Sequence, residues 1–168
     1  MELLLRQWRA EDAFALQRCA DDREIACFLR DVFPHPYVLS DAEYFIKACL
    51  QEPKEEGLHY AVEVDGALVG SIGLCVGKDV ACRSAELGYW LARVQWGRGI
   101  MTEAVTRMCH AGFEQLDLLR IFAEPFSSNT ASRRVLEKNG FVLEGVLQHS
   151  VYKWGQVMDA CVYALLRP

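Results

Sequence analysis

The sequence predicts an α+β fold, in which a mixed but mostly antiparallel sheet is flanked by helices. Helical spacing of apolar residues dominates the first third of the chain, and a period of two replaces it from Tyr60 onward. A strand, a glycine-bearing loop and a helix then follow one another directly over residues 85–112. With 168 residues, of which 52% are apolar, the chain is predicted to form a single domain spanning residues 1–168.

The amino-terminal third is predicted to hold a strand followed by two helices, at residues 3–9, 11–20 and 22–29. The prolines of the Pro34–Tyr37 segment end the second helix, because each lacks a backbone donor and disfavours helix in the residue before it. Ser40 and Glu43 are spaced as in a capping box. A third helix is therefore expected to begin at Ser40.

The rest of the chain is predicted to alternate strands with two further helices. The strands are expected at residues 60–64, 67–74, 85–91, 120–123, 141–147 and 158–166. Asp65-Gly66 joins the first two with the chemistry of a tight hairpin turn. One helix is expected to begin near Met101, and the other to be capped by Asn129 or a neighbouring Ser or Thr and stopped by Asn139-Gly140.

Charge and composition exclude several classes of partner. The formal net charge is −5 and no run of five or six basic residues occurs, so no nucleic-acid partner is expected. No stretch has the length and apolarity of a membrane-spanning helix, and the apolar run after Met1 is too short for a secretion signal. We therefore expect a cytoplasmic protein without a membrane partner, acting as a monomer or homodimer. The seven cysteines form no close pair, so buried free thiols are expected, and the four histidines show no metal spacing.

A loop with two glycines precedes the fourth predicted helix. Residues 95–103 read QWGRGIMTE. Glycine lets the backbone approach a ligand, and the first N–H groups of a helix direct a partial positive charge towards it, which suits a diphosphate. The alternatives are an ordinary strand-to-helix turn and a dinucleotide-binding loop, although Thr102 stands where the latter requires its third glycine.

A second segment, residues 127–141, reads SSNTASRRVLEKNGF. Alone it is typical of a capped helix stopped by glycine. Together with the WGRGI loop, the strand ELGYWL at residues 86–91 and Glu144-Gly145, it resembles the GNAT superfamily of N-acyltransferases. Within that superfamily it resembles the branch of ribosomal-protein N-acetyltransferases, the Rim-type enzymes. Arg6 to Asp12 and the Asp65-Gly66 hairpin also match, so the likeness covers nearly the whole chain.

The resemblance implies an enzyme that transfers an acetyl group from acetyl-CoA, its co-substrate, to a primary amine in a ternary complex and without a metal. The acceptor is either a protein N-terminus or a small-molecule amine. The strand at 85–91 is expected to splay from the strand at 120–123, leaving a gap for the pantetheine arm and a backbone N–H for the oxyanion. The residues expected to bind the coenzyme are Leu91, Trp96, Gly97, Arg98, Gly99, Ile100, Met101, Thr102 and Asn129.

Two proton transfers define the catalytic residues that the resemblance implies. An amine is protonated near neutral pH, with a pKa of about 10.4 for lysine and about 7.7 to 8.0 for an N-terminus, so a base is required. Glu86 is the candidate base, and a solvated edge-strand carboxylate is its alternative. Ser132 is the candidate proton donor to the departing thiolate, because Leu136 occupies the position where many GNAT enzymes carry a tyrosine. The alternative roles of Ser132 and Asn129 are those of an ordinary first-turn residue and a helix cap.

Two other functions stay open at this point. An intact coenzyme loop combined with an unclear base is compatible with a catalytically silent acyl-CoA-binding module, since Val151 stands where some Rim-type enzymes carry a glutamate. The other alternative is a nicotinamide-dependent enzyme. The aromatic residues expected either to wall the acceptor site or to belong to the core are Phe33, Tyr37, Tyr152 and Trp154.

Overall fold

The computed structural model describes residues 1–168, and its strands form one seven-stranded sheet. The strands are β1 (Leu3–Gln7), β2 (Gly57–Val64), β3 (Ala67–Val76), β4 (Ser84–Leu91), β5 (Arg120–Ala123), β6 (Val142–Lys153) and β7 (Gln156–Leu166). The helices are α1 (Ala13–Ala20), α2 (Arg23–Ala26), α3 (Leu39–Gln51), α4 (Ile100–Gln115) and α5 (Thr130–Lys138). The sheet order is β1-β2-β3-β4-β5-β7-β6, and only β4 and β5 pair in parallel. The predicted α+β class with a mostly antiparallel mixed sheet is confirmed.

Helices cover both faces of the sheet. Helix α4 contributes Ala104, Val105 and Met108, all fully buried, to the larger core cluster. On the other face, Leu16 of α1 and Ile46 of α3 belong to a smaller cluster. Because side chains alternate along a strand, adjacent residues of β2 and of β4 point to opposite faces of the sheet. Side chains of β4 on both faces contribute to the site described below.

Helix α3 begins one residue earlier than expected and uses a different cap. The carboxylate of Asp41 accepts a hydrogen bond of 2.8 Å from the backbone N–H of Val38, the N-cap residue. Ser40 already lies within the helix. The predicted capping box of Ser40 and Glu43 is therefore wrong, because the carboxylate three residues after Val38 takes the reciprocal role instead.

The last two strands are longer than predicted and form an extended hairpin. Its turn is Trp154-Gly155, and both residues have positive φ, 51° and 80°. That conformation is typical of the tight turn that joins antiparallel strands.

None of the helices combines the length and apolar composition needed to cross a bilayer. All seven cysteines are free, but only Cys109 and Cys161 are buried. The expectation of buried thiols is wrong for Cys75 and Cys82, which are exposed, although Cys75 lies between Leu74 and Val76.

Candidate active site

The glycine loop before α4 leaves backbone donors open to a ligand. Gly97 and Gly99 have φ of 75° and 76°, a conformation that other residues rarely adopt. A Cβ atom at either position would meet no protein atom within 4 Å. Gly99 is the N-cap of α4 and has no side chain to satisfy the first N–H groups of the helix. These donors fit the phosphate oxygens of a coenzyme.

A cavity of about 350 Å³ joins this loop to β4 and α5. All nine residues expected to bind the coenzyme line it, and so does Ser132. Arg98, Arg134 and Lys138 contribute positive charge to its wall, and Ile25 and Phe28 contribute apolar surface. Cationic groups beside apolar walls fit a phosphate-bearing thioester.

The resemblance to GNAT proteins implies a small residue at position 101, and the Met101 that replaces it is accommodated by the core. Its side chain is 7% exposed and belongs to the larger core cluster. The substitution therefore leaves the backbone of the loop able to face the cavity.

Strands β4 and β5 separate in the middle of the sheet. They pair only where residues 84–86 face residues 120–122, whereas β4 stays paired with β3 as far as Leu91. Beyond Glu86, the backbone groups of β4 that face β5 have no strand partner. A free edge of this kind can pair with an extended ligand or donate an N–H to a developing oxyanion. The expected splay of the central strands is confirmed.

On the α4 face of β4, Tyr89 contacts the candidate proton donor. The hydroxyl oxygens of Tyr89 and Ser132 are 2.8 Å apart. Burial raises the pKa of Tyr89, and the hydrogen bond to Ser132 only partly opposes that shift. Tyr89 therefore stays protonated at neutral pH and can hold the Ser132 hydroxyl in place. Asn129 caps α5, its Oδ1 accepting from the Ser132 N–H at 3.2 Å, and it also lines the cavity.

On the opposite face, two carboxylates share one guanidinium. Glu86 pairs in register with Phe122 of β5, and Glu124 directly follows the end of that strand. Arg30, between α2 and α3, places its Nη2 within 4.0 Å of an oxygen of each carboxylate. Its Nη1 is 3.4 Å from Oε2 of Glu86. Glu86 thus lies outside the coenzyme cavity and is paired with Arg30.

A second cavity, of about 400 Å³, adjoins this group of charges. It lies between residues 29–31 and the β6–β7 hairpin, and its lining includes Arg30, Glu124 and Tyr152. Lys153, only 5% exposed, also lines it. The Lys153 ammonium donates to the Leu29 carbonyl oxygen at 2.6 Å and lies 3.1 Å from the Asp31 carboxylate. The hairpin and the residue 29–31 segment are therefore tied together.

Only one of the four aromatic residues considered for the acceptor wall lines this cavity, and that residue is Tyr152. Tyr37 is 4% exposed in the smaller core cluster, and Phe33 packs against it at a ring-centroid distance of 4.9 Å. Trp154 instead lies under the Arg23 guanidinium, 4.3 Å from the ring centroid. Tyr37 and Phe33 therefore belong to the core rather than to the wall of the acceptor site.

Comparison with known proteins identifies the family. The model of the GNAT acetyltransferase domain matches residues 2–142. The chain belongs to the GNAT acetyltransferase family. The uncharacterized N-acetyltransferase YoaA of Bacillus subtilis is 32% identical over 170 residues, which cover 99% of this chain and 94% of YoaA. The ribosomal-protein-serine acetyltransferase of Escherichia coli is 32% identical over 82 residues, 49% of this chain and 46% of that protein.

Solved structures agree with this assignment. RimJ of Mycobacterium smegmatis, solved in complex with CoA-disulfide, superposes with a TM-score of 0.86 and 29% identity, covering 98% of this chain and 81% of that one. This GNAT protein is therefore an N-acetyltransferase of the Rim-type branch, with acetyl-CoA as its co-substrate. Family membership disfavours both the nicotinamide-dependent and the catalytically silent alternatives.

The candidate site includes four groups that the sequence analysis did not single out as site residues: Tyr89, Glu124, Arg30 and Lys153. Strand alternation carries a signal for Tyr89, because it is three residues from Glu86 in β4 and therefore lies on the opposite face. It carries none for Glu124, which lies beyond the end of β5. Arg30 is 56 residues from Glu86, and Lys153 is 122 residues from Asp31. The spacing of residues within a short segment cannot predict contacts between residues so far apart in the sequence.

Proposed function

We propose that this acetyltransferase moves the acetyl group of acetyl-CoA directly to a primary amine that reaches the β4–β5 gap from the Glu86 face. Residues 1–168 would form one domain for this purpose. One observation carries the proposal: β4 presents Tyr89, with Ser132, to the coenzyme cavity and Glu86 to the opposite face of the sheet. Co-substrate and acceptor can then approach the same bond from opposite sides.

The coenzyme would be held by the loop and by the two helices beside it. The N–H groups of Gly99, Ile100, Met101 and Thr102 would bind the diphosphate, with Arg98 adding charge. Leu91, Trp96 and Gly97 would line the path of the pantetheine arm. Asn129 would add a hydrogen bond through the part of its amide that does not cap α5.

Bound acetyl-CoA supplies an acetyl thioester whose carbonyl carbon the amine attacks. Glu86, with Glu124 beside it, would accept the proton that the ammonium must lose before attack. Backbone N–H groups on the unpaired edge of β4 would stabilise negative charge on the carbonyl oxygen. Ser132, oriented by the Tyr89 hydroxyl, would donate a proton to the thiolate as the carbon–sulfur bond breaks. As the intermediate collapses, the nitrogen would lose its second proton, which would restore the Ser132 hydroxyl, and the proton held by Glu86 would pass to solvent. An ammonium ion and the acetyl thioester would then give an amide, a free thiol and one proton, without a covalent enzyme intermediate.

The acceptor is proposed to be either a protein N-terminus or a small amine, in the cytoplasm. Similarity to a ribosomal-protein-serine acetyltransferase supports a protein acceptor. The net charge of −5 favours the approach of cationic groups and disfavours nucleic acid.

Mass spectrometry with acetyl-CoA labelled in its acetyl group tests the proposal. The purified protein is incubated with the labelled compound and with peptides bearing free N-termini, polyamines, amino acids and aminoglycosides. We expect the label on a primary amine, with one free thiol released for each acetyl group transferred. Tight binding of coenzyme A without label on any amine would contradict the transfer.

Variants then test the catalytic roles. Ser132→Ala is expected to lower kcat about 100-fold, which is the contribution typical of a general acid, while leaving coenzyme affinity within about threefold. Glu86→Gln together with Glu124→Gln should lower kcat similarly. The matched control is Glu144→Gln, which removes a carboxylate paired with Arg120 outside the site and should leave kcat unchanged.

A further inference from the structure

We infer that Arg30 is a displaceable arm that occupies the position of the acceptor's cationic group, so that the enzyme selects acceptors that arrive as cations. The inference rests on the proposed function, because it names the charge of the group that enters the Glu86 face. It is carried by the shared contact of Arg30 with Glu86 and Glu124 and by the way in which the backbone around Arg30 is held.

The backbone on either side of Arg30 is anchored. The buried ammonium of Lys153 contacts the carbonyl oxygen of Leu29 at 2.6 Å and the carboxylate of Asp31 at 3.1 Å. Arg30 stands between these two residues. Its side chain can therefore move away from the carboxylates while its backbone stays attached to the hairpin.

The side chain of Arg30 is weakly held by comparison. It is 61% exposed, and its partners Glu86 and Glu124 are 30% and 34% exposed. Ion pairs with this exposure contribute little to stability, because solvent screens the charges and the long side chain loses rotamer freedom. A competing cation can therefore take the place of the guanidinium at small cost.

Without a cation, the two carboxylates would face each other uncompensated on one side of the sheet. Two negative charges that contact one guanidinium repel each other when it leaves, and a cation in its place offsets that repulsion. An ammonium group supplies that charge and also brings the nitrogen that must attack. A neutral acceptor would displace Arg30 without replacing its charge, so its binding would be disfavoured.

Titration of the full-length protein, saturated with coenzyme A, with two small probes tests this inference. The probes are n-butylamine, which is an ammonium ion at neutral pH, and n-butanol, which has similar size and no charge. Binding is followed by protein NMR for the wild type, Arg30→Gln, Arg30→Lys and Arg83→Gln. Arg83 is the matched control because it is also an exposed arginine paired with a carboxylate, that of Asp117 at 2.9 Å.

Arg30→Gln is expected to bind n-butylamine about fivefold more tightly than the wild type, the upper range for an exposed ion pair. Arg30→Lys and Arg83→Gln should match the wild type, and no variant should change n-butanol binding more than about twofold. Adding Glu86→Gln and Glu124→Gln to Arg30→Gln should abolish the gain.

A gain below about twofold, an equal gain for n-butanol, or no detectable binding of n-butylamine to Arg30→Gln would overturn the role of Arg30. The proposed function would fail on a different result: a wild-type protein that does not bind coenzyme A in the first step would contradict it.

Discussion

Replacing Gly99 with aspartate separates coenzyme binding from the stability of the fold. Gly99 has φ of 76°, and left-handed backbone costs a non-glycine residue about 1 to 2 kcal/mol. A new Cβ there would meet no protein atom within 4 Å, so no steric cost is added. For a chain of this length, such a loss corresponds to a fall in Tm of about 3 to 6 °C.

The effect of Gly99→Asp on coenzyme affinity should be larger than its effect on stability. A carboxylate about 5 Å from one phosphate charge is repelled by about 3 kcal/mol at an effective dielectric constant of about 20. The carboxylate would also compete for the helix N–H groups that the phosphate requires. We therefore expect the Kd for coenzyme A to rise about 100-fold.

Isothermal titration calorimetry measures this Kd, and Gly66→Asp is the matched control. Gly66 has φ of 81° and the same open space around a new Cβ, but it lies in the turn between β2 and β3. The two variants should lose similar Tm, and only Gly99→Asp should lose affinity. Affinity that falls less than about fivefold in Gly99→Asp would refute the assignment of these N–H groups to the phosphates.

Three further predictions test the site and the core. Tyr89→Phe should lower kcat about tenfold with little change in the KM for acetyl-CoA, because Ser132 loses the hydroxyl that orients it; steady-state kinetics measures both. Leu118→Ala should lower the free energy of unfolding by about 2 to 5 kcal/mol in urea, because this fully buried side chain leaves a cavity. Burial raises the pKa of Asp12, but its hydrogen bonds with Arg6 and Arg9 outweigh burial and hold that pKa below its ordinary value. The stabilisation by ionised Asp12 is therefore present above about pH 4 and is lost as the pH falls further. The Asp12→Asn variant should be less stable than the wild type at pH 7 and should lose less stability than the wild type on acidification. Urea unfolding at a series of pH values measures both effects.

Each of these predictions has a surface control. Tyr44→Phe and Leu50→Ala alter side chains that are 77% and 53% exposed and should change kcat and unfolding free energy little. Asp79→Asn, at an exposed position, should leave the pH dependence of stability unchanged. An unaltered kcat in Tyr89→Phe, a loss below about 1 kcal/mol in Leu118→Ala, or the wild-type acid profile in Asp12→Asn would contradict the respective argument.

Elements with a local signal were predicted closely. Strand β5 has the predicted bounds, and Asn129 caps α5 as expected. The extent of β6 was missed, because none of its residues before Lys153 is buried and the strand has no buried face. A strand without one buried face shows no alternation of apolar and polar residues, so its length cannot be read from the pattern.

The sequence by itself determined the parts of the site that depend on neighbouring residues. The glycines of the loop, the start of α4 and the cap of α5 follow from backbone conformation and short-range hydrogen bonds, which a few adjacent residues decide. Only the tertiary structure decided that Arg30 contacts Glu86 and that Lys153 anchors the Arg30 segment. These contacts join residues far apart in the chain, and they form because sheet order and helix packing bring separate segments together, which no local spacing encodes.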